Sequence, residues 1–150
     1  MPNDAVTIVP MTTEHIPEVC RAELECFTLP WSRASFEREL TENQYAMYYV
    51  ALCGDKLAGY AGMWHVVNEG HITNIAVRPA YRMKGVGGML LDKLTELAIQ
   101  KEMIGITLEV RAGNLAALSM YSKHGFKHEG LRKEYYEDNH EDAIIMWKYL

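Results

Sequence analysis

The sequence predicts an α/β protein of the mixed α+β kind, with a mixed sheet of about seven strands and helices on both faces. Three observations predict it. Alternating and helical apolar patterns follow one another in the order β-α-α-β-β-β-α-β-α-β-β between Val6 and Tyr149. A strand, a glycine-rich turn and an amphipathic helix run on directly from His71 to Gln100. The run from Ile104 to Arg111 then separates its faces, with Ile106, Leu108 and Val110 on one side and Thr107, Glu109 and Arg111 on the other. It follows a helix that follows a strand, so it should lie parallel to that strand through a right-handed crossover. The 150 residues are expected to form one domain, 1–150, with a substantial core.

In chain order, Val6 to Pro10 is a short strand. Thr12 or Thr13 caps a helix that tolerates Pro17 near its start and runs to about Cys26. Phe27-Thr28-Leu29-Pro30-Trp31-Ser32 breaks it, and Ser32 caps a second helix carrying Ser35, Phe36 and Leu40. Ala46 to Cys53, rich in Tyr, Val and Ala, is a strand that turns at Gly54-Asp55-Lys56 into a partner from Leu57 to Val67. Asn68-Glu69-Gly70 turns again, and His71 to Val77 is the next strand. After Arg78-Pro79 and the glycine stretch, the helix from Met89 to Gln100 puts Met89, Leu90, Leu94, Leu97 and Ala98 inward and Asp92, Lys93 and Glu96 outward. Asn114 caps the following helix, with Ala117, Leu118 and Tyr121 on one side and Gly125 as its C′ residue. Phe126 to Glu137 and Glu141 to Tyr149 form a last hairpin around Asp138-Asn139-His140.

Composition narrows the function. A formal net charge of −5 argues against a general nucleic-acid binder. The apolar and charged fractions, 49% and 23%, are those of a globular protein rather than a disordered one. No apolar run approaches membrane-spanning length, and the N-terminus has no signal-peptide organisation. Cys20, Cys26 and Cys53 are odd in number and lack CxxC spacing, which fits reduced thiols of a cytoplasmic protein. The six histidines show no metal-ligand spacing, so no metal is expected. A monomer or weak dimer is expected.

Four groups of residues could carry chemistry. Arg82-Met83-Lys84-Gly85-Val86-Gly87-Gly88 joins a strand to a helix with three glycines and two cations. Unpaired amides at a helix start suit a phosphate, although the stretch is neither a Walker loop nor a dinucleotide fingerprint, and a ligand-free helix start would look the same. Glu109 is a carboxylate in the middle of a strand expected to be central. It is either a structural ion pair with Arg111 or a general base with a raised pKa. Tyr121 is either an ordinary half-buried tyrosine or a proton donor. Phe27 and Trp31, and Tyr135 with Tyr136 among the acidic Glu137, Asp138, Glu141 and Asp142, are either packing or the walls of a groove.

Asn74-Ile75-Ala76-Val77-Arg78-Pro79 followed by Arg82-x-x-Gly85-x-Gly87 resembles the acetyl-CoA signature of the GNAT acetyltransferase superfamily. Leu108-Glu109-Val110-Arg111-x-x-Asn114-x-x-Ala117-x-x-x-Tyr121-x-x-x-Gly125-Phe126 is similar to its second half. Phe27-x-x-Pro30-Trp31-Ser32 and Tyr135-Tyr136 with Glu141-Asp142-Ala143 and Met146 resemble the RimI group, the protein N-terminal alanine acetyltransferases. Met83, where a polar residue is commoner, and Met120, where Leu is usual, are small departures.

The resemblance implies the GNAT acyl-CoA N-acyltransferase fold and acetyl-CoA as cosubstrate, with no metal. Ile75, Ala76 and Val77 would pair with the pantetheine arm through their backbone. Arg82, Met83, Lys84, Gly85, Val86, Gly87 and Gly88 would hold the pyrophosphate, and Asn114 would touch the arm near the thioester. Glu109 would be general base and Tyr121 general acid, with the Val77 N–H at the oxyanion. Phe27, Pro30, Trp31, Tyr135 and Tyr136 would border the groove for a protein or peptide N-terminus. The implied target is the N-terminal alanine of a ribosomal protein, the eighteenth of the small subunit. Direct transfer needs no covalent enzyme intermediate. A GNAT acting on a small amine, and a non-catalytic acyl-CoA-binding module, are the alternatives.

Overall fold

The computed structural model describes residues 5–150. Seven strands lie in one sheet: β1 (Val6–Pro10), β2 (Ala46–Cys53), β3 (Lys56–Val66), β4 (Glu69–Val77), β5 (Gly105–Arg111), β6 (Lys127–Arg132) and β7 (Ala143–Tyr149). Their order is β1-β2-β3-β4-β5-β7-β6. The α-helices among the described residues are α1 (Ile16–Cys26), α2 (Arg33–Thr41), α3 (Val86–Gln100) and α4 (Leu115–Lys123).

Both faces of the sheet are covered, each by its own apolar cluster. Ile16, Val19 and Ala22 of α1 and Phe36 of α2 pack against Tyr48, Val50, Tyr60 and Ala76. Leu90, Leu91 and Leu94 of α3 and Tyr121 of α4 pack on the other face against Ala61, Met63, Ile106 and Leu108. The local starts are those the sequence predicts. Ser32 Oγ accepts the Ser35 N–H at 3.1 Å, and Asn114 Oδ1 accepts the Ala117 N–H at 3.1 Å. A short 3-10 turn, Thr13–His15, precedes α1, with Thr12 and His15 capping each other.

Several boundaries differ from expectation. The β3–β4 turn is Val67-Asn68, with Val67 at φ 57°, and Glu69 and Gly70 are already paired in β4. Helix α3 begins at Val86, three residues early, because Gly85 at φ 81° supplies a left-handed N-cap. Gly87 and Gly88 therefore lie in its first turn. Leu91 rather than Met89 faces the core, since Met89 is exposed. The last hairpin is shorter than predicted: pairing ends at Arg132↔Ala143, and residues 133–142 form an irregular loop. Strand β7 also does not simply extend the sheet beyond β6. It inserts between β5 and β6.

The feature that positions the site is a split in the sheet. β4 and β5 are the parallel pair, yet they match at only Glu69↔Gly105, Gly70↔Ile106 and His71↔Thr107. Beyond these each strand follows its outer neighbour. β4 stays with β3 as far as Val77↔Gly59, and β5 stays with β7 as far as Arg111↔Ala143. A bulge places Thr73 as an extra residue between Ile72↔Met63 and Asn74↔Gly62. Bulges bend and twist a strand, and this one lies where the gap opens.

Candidate active site

The open edge of β4 can be read from its hydrogen bonds. The Arg78 N–H donates to Ala58 O on β3 at 2.8 Å. Alternation along the strand then turns the backbone groups of Val77 and Ile75 away from β3, toward the gap. Side chains reach Val77 O there: Arg82 Nε donates at 2.9 Å and Cys26 Sγ at 3.4 Å. Ala76, opposite Tyr60, turns its backbone toward β3. That corrects the expectation of three consecutive edge residues to two, Ile75 and Val77.

Below this edge lies the turn into α3. Arg78 anchors its start, with Nε and Nη2 at 2.9 Å from the Glu25 carboxylate and Nη1 at 3.0 Å from Glu18. Met83 has φ 65° and a fully exposed side chain, which leaves the backbone to line the turn. Lys84 Nζ lies 5.9 Å from the centre of the Tyr81 ring. Val86 and Gly87 are buried at the start of α3, where a Cβ added to Gly87 would come within 2.7 Å of Met120 Sδ. The free amides of this first turn lie at the positive end of the helix dipole, an arrangement that suits a phosphate.

Glu109 lies at the other end of the gap, on the α1/α2 face of β5. It does not pair with Arg111. Its Oε1 is 2.8 Å from His71 Nε2, and its Oε2 is 3.5 Å from Arg132 Nε. Its pKa is lowered rather than raised. The His71 hydrogen bond is the largest cause, and the Arg132 charge adds to it against the opposing effect of burial. The raised-pKa expectation is therefore overturned, because the His71 hydrogen bond and the Arg132 charge outweigh desolvation. Arg111 instead reaches across the sheet edge to Asp138 at 2.9 Å and Glu141 at 3.3 Å.

Tyr121 is fully buried, not half-buried, and its ring meets Phe126 edge-on at 5.7 Å. Burial pushes its phenol pKa up, so the hydroxyl stays protonated across the working pH range. Tyr121 belongs to the α3/α4 side of the sheet and Glu109 to the α1/α2 side, with the gap between them. Tyr136 is near enough to feel both: it is a secondary cause of the Tyr121 rise, and Glu109 contributes to its own rise to about 12, which is caused mainly by burial.

Two loops wall the α1/α2 face. Trp31 packs on Phe36 at 5.4 Å, while Phe27 and Pro30 are exposed. Opposite them, Tyr135 and Tyr136 meet edge-on at 5.1 Å, and the Arg111 guanidinium lies 4.0 Å over the Tyr136 ring. Thr28 Oγ1 donates to Asp138 Oδ2 at 2.5 Å, tying one wall to the other. The structure thus brings the sequence-predicted wall residues to one face.

Sequence reasoning missed three participants. His71 and Arg132 hold Glu109 from strands distant in sequence. Glu23 is the buried charged residue of α1. It accepts the Trp31 N–H at 2.7 Å and the Tyr60 hydroxyl. Burial raises its pKa to about 7, and the Trp31 N–H opposes that rise. A signal existed for Glu23: it lies one turn after the inward Val19 on the buried stripe of α1.

The fold recurs in known proteins. The family model described as "Acetyltransferase (GNAT) family" matches residues 16–126. The chain is 44% identical, over 91% of both chains, to a Bacillus subtilis protein named as a candidate ribosomal protein bS18-alanine N-acetyltransferase. It is 34% identical to the ribosomal protein bS18-alanine N-acetyltransferase of Salmonella typhimurium, covering 93% of this chain and 95% of that one. Among solved structures, the ribosomal-protein-S18-alanine N-acetyltransferase of Escherichia coli superposes with a TM-score of 0.88 at 32% identity, over 97% of this chain and 94% of that one.

Proposed function

The chain belongs to the GNAT family of acetyltransferases, and from that premise we propose that it moves acetyl from acetyl-CoA directly to the α-amine of a protein N-terminus. The target we assign is the N-terminal alanine of ribosomal protein bS18, after which the relatives are named. The observation that carries the reading is the gap between β4 and β5, with a phosphate-suited helix start at one end and a carboxylate, Glu109, at the other. We read residues 1–150 as one catalytic domain working in the cytoplasm, where such a target is made. Among the described residues no helix is long and apolar enough to cross a membrane.

Acetyl-CoA supplies an activated thioester carbonyl. The backbone of Ile75 and Val77 would hold its arm along the open edge, and Asn114 would meet the arm from the start of α4. Arg82, Lys84 and the amides from Met83 to Gly88 would hold its pyrophosphate. Phe27, Pro30, Trp31, Tyr135 and Tyr136 would guide the peptide to Glu109.

An α-amine has a pKa near 8, so roughly a tenth of it is free at neutral pH. A carboxylate held below its usual pKa is a poor sink for the resting ammonium proton. The nitrogen becomes far more acidic as the C–N bond forms, and at that stage Glu109 can take its proton. The Val77 N–H would steady the carbonyl oxygen. Tyr121 would give its hydroxyl proton to the departing thiolate.

Intact-mass measurement on peptides differing in their first residue tests this. Acetylation of an Ala-starting peptide is the expected result. Activity confined to lysine side chains or small free amines would overturn it. Gly87→Ala should weaken acetyl-CoA binding and leave the pH profile of turnover in place.

A further inference from the structure

Among the described residues, Asn74 Oδ1 is the one buried side-chain oxygen or nitrogen to which the protein brings no hydrogen-bond partner. Buried polar atoms are almost always paired, so one left over calls for an explanation. Its position supplies one. Asn74 is the first residue past the β4 bulge and stands opposite Gly62, over which the Tyr48 ring lies, so its side chain is on the α1/α2 face. On one side of it along β4 is His71, which holds Glu109. On the other side are Ile75 and Val77, whose backbone faces the gap. The orphaned acceptor therefore lies between the base and the acyl-binding edge, on the face that the peptide walls enclose.

An attacking amine needs more than a base. Its lone pair must point at the carbonyl carbon, so its N–H bonds must point at acceptors. A second carboxylate there would stabilise the unreactive ammonium. A neutral amide oxygen accepts an N–H with much less of that effect. We propose that Asn74 Oδ1 receives an N–H of the substrate's α-amine and turns its lone pair into the gap. This rests on the N-terminal acetyl-transfer reading above.

The charged and titratable groups around Asn74 are engaged elsewhere. His71 bonds Glu109, which also meets Arg132. Glu39 of α2 takes the Tyr48 hydroxyl at 2.8 Å, and Glu23 of α1 takes that of Tyr60. An aspartate at position 74 would thus be a new charge facing the amine.

The test compares wild type, Asn74→Ala and Asn74→Asp on an Ala-starting peptide, with kcat and KM for both substrates, pH profiles and thermal unfolding. For Asn74→Ala, kcat/KM for peptide should fall about tenfold, the value of one lost hydrogen bond, while KM for acetyl-CoA stays within about twofold. Its Tm should stay level or rise, because no internal bond is lost. For Asn74→Asp, the rise of kcat with pH should move up by about one unit, because a carboxylate favours the ammonium of the bound peptide and kcat reports that complex. Wild-type peptide kinetics in Asn74→Ala, or a Tm loss with both substrates affected alike, overturns the contact, as does an unshifted Asp profile. If wild type itself leaves every peptide unmodified, the acetyl-transfer reading fails first and takes the contact with it.

Discussion

Glu23 and Glu109 are both carboxylates on the α1/α2 side of the sheet, and each has two protein groups on it. Glu23 takes a backbone N–H from Trp31 and the Tyr60 hydroxyl, both neutral, in a site closed to water. Its pKa rises to about 7. Glu109 takes His71 and Arg132 beside an open gap, and its pKa falls. Equal numbers of partners therefore give opposite acids. What differs is that an arginine is among the partners of Glu109 and that burial is less complete there. Glu23 holds the α1–α2 loop through Trp31, while Glu109 is left ionised beside the gap, as its proposed part in taking up a proton requires.

The largest test of this contrast is catalytic. Glu109→Gln keeps the shape and removes the proposed base, and turnover of an Ala-starting peptide should drop about 10²–10⁴-fold. An equal drop in Glu23→Gln would erase the distinction. The next test is stability. The raised pKa of Glu23 means the folded state binds this proton more tightly than the unfolded chain. Its contribution is complete below the unfolded pKa near 4.5 and is lost as pH rises to about 7. Urea unfolding at pH 5 and pH 8 should show a loss of at most about 3 kcal/mol from this source, absent in Glu23→Gln. Glu109 has the opposite sign: its lowered pKa contributes stability above the ordinary carboxylate range, lost as pH falls.

A smaller effect sharpens the Glu109 side. His71→Ala removes the main cause of its low pKa, so the acid limb of the kcat/KM profile should move to higher pH. An unmoved limb would assign that limb to another group. The smallest concerns Tyr60→Phe, which takes one donor from Glu23. It should cost about 1 kcal/mol of stability and leave kcat nearly unchanged.

Legibility followed the range of the interactions. Gly85, Gly87 and Gly88 act within one turn of chain, so the turn into α3 could be found from sequence, and only its helical start was misplaced. The two faces of β5 were legible from alternation. Glu109 could be singled out as an odd carboxylate, but its neighbours on β4 and β6 are set by tertiary pairing, and so its pKa direction was read wrongly. The aromatic and acidic run at 135–142 looked like strand and turn. It is held as a loop by side chains instead, with Arg111 on Asp138 and the Gly113 N–H on Glu141. Glu23 had a local signal in its place one turn after Val19, but its partners, Trp31 and Tyr60, come from a loop and from β3 and could not be read from the sequence.

The insertion of β7 between β5 and β6 has a consequence for how the protein is made. A ribosome finishes β4, the α3 turn and β5, the segments that flank the gap, before it makes β7. The strand bearing Glu109 gains its second neighbour only once residues 143–149 have emerged and threaded between β5 and an already synthesised β6. Long-range pairing of this kind forms late and slowly. Strand β5, and Glu109 with it, should therefore reach its final place only as the last residues of the chain are made.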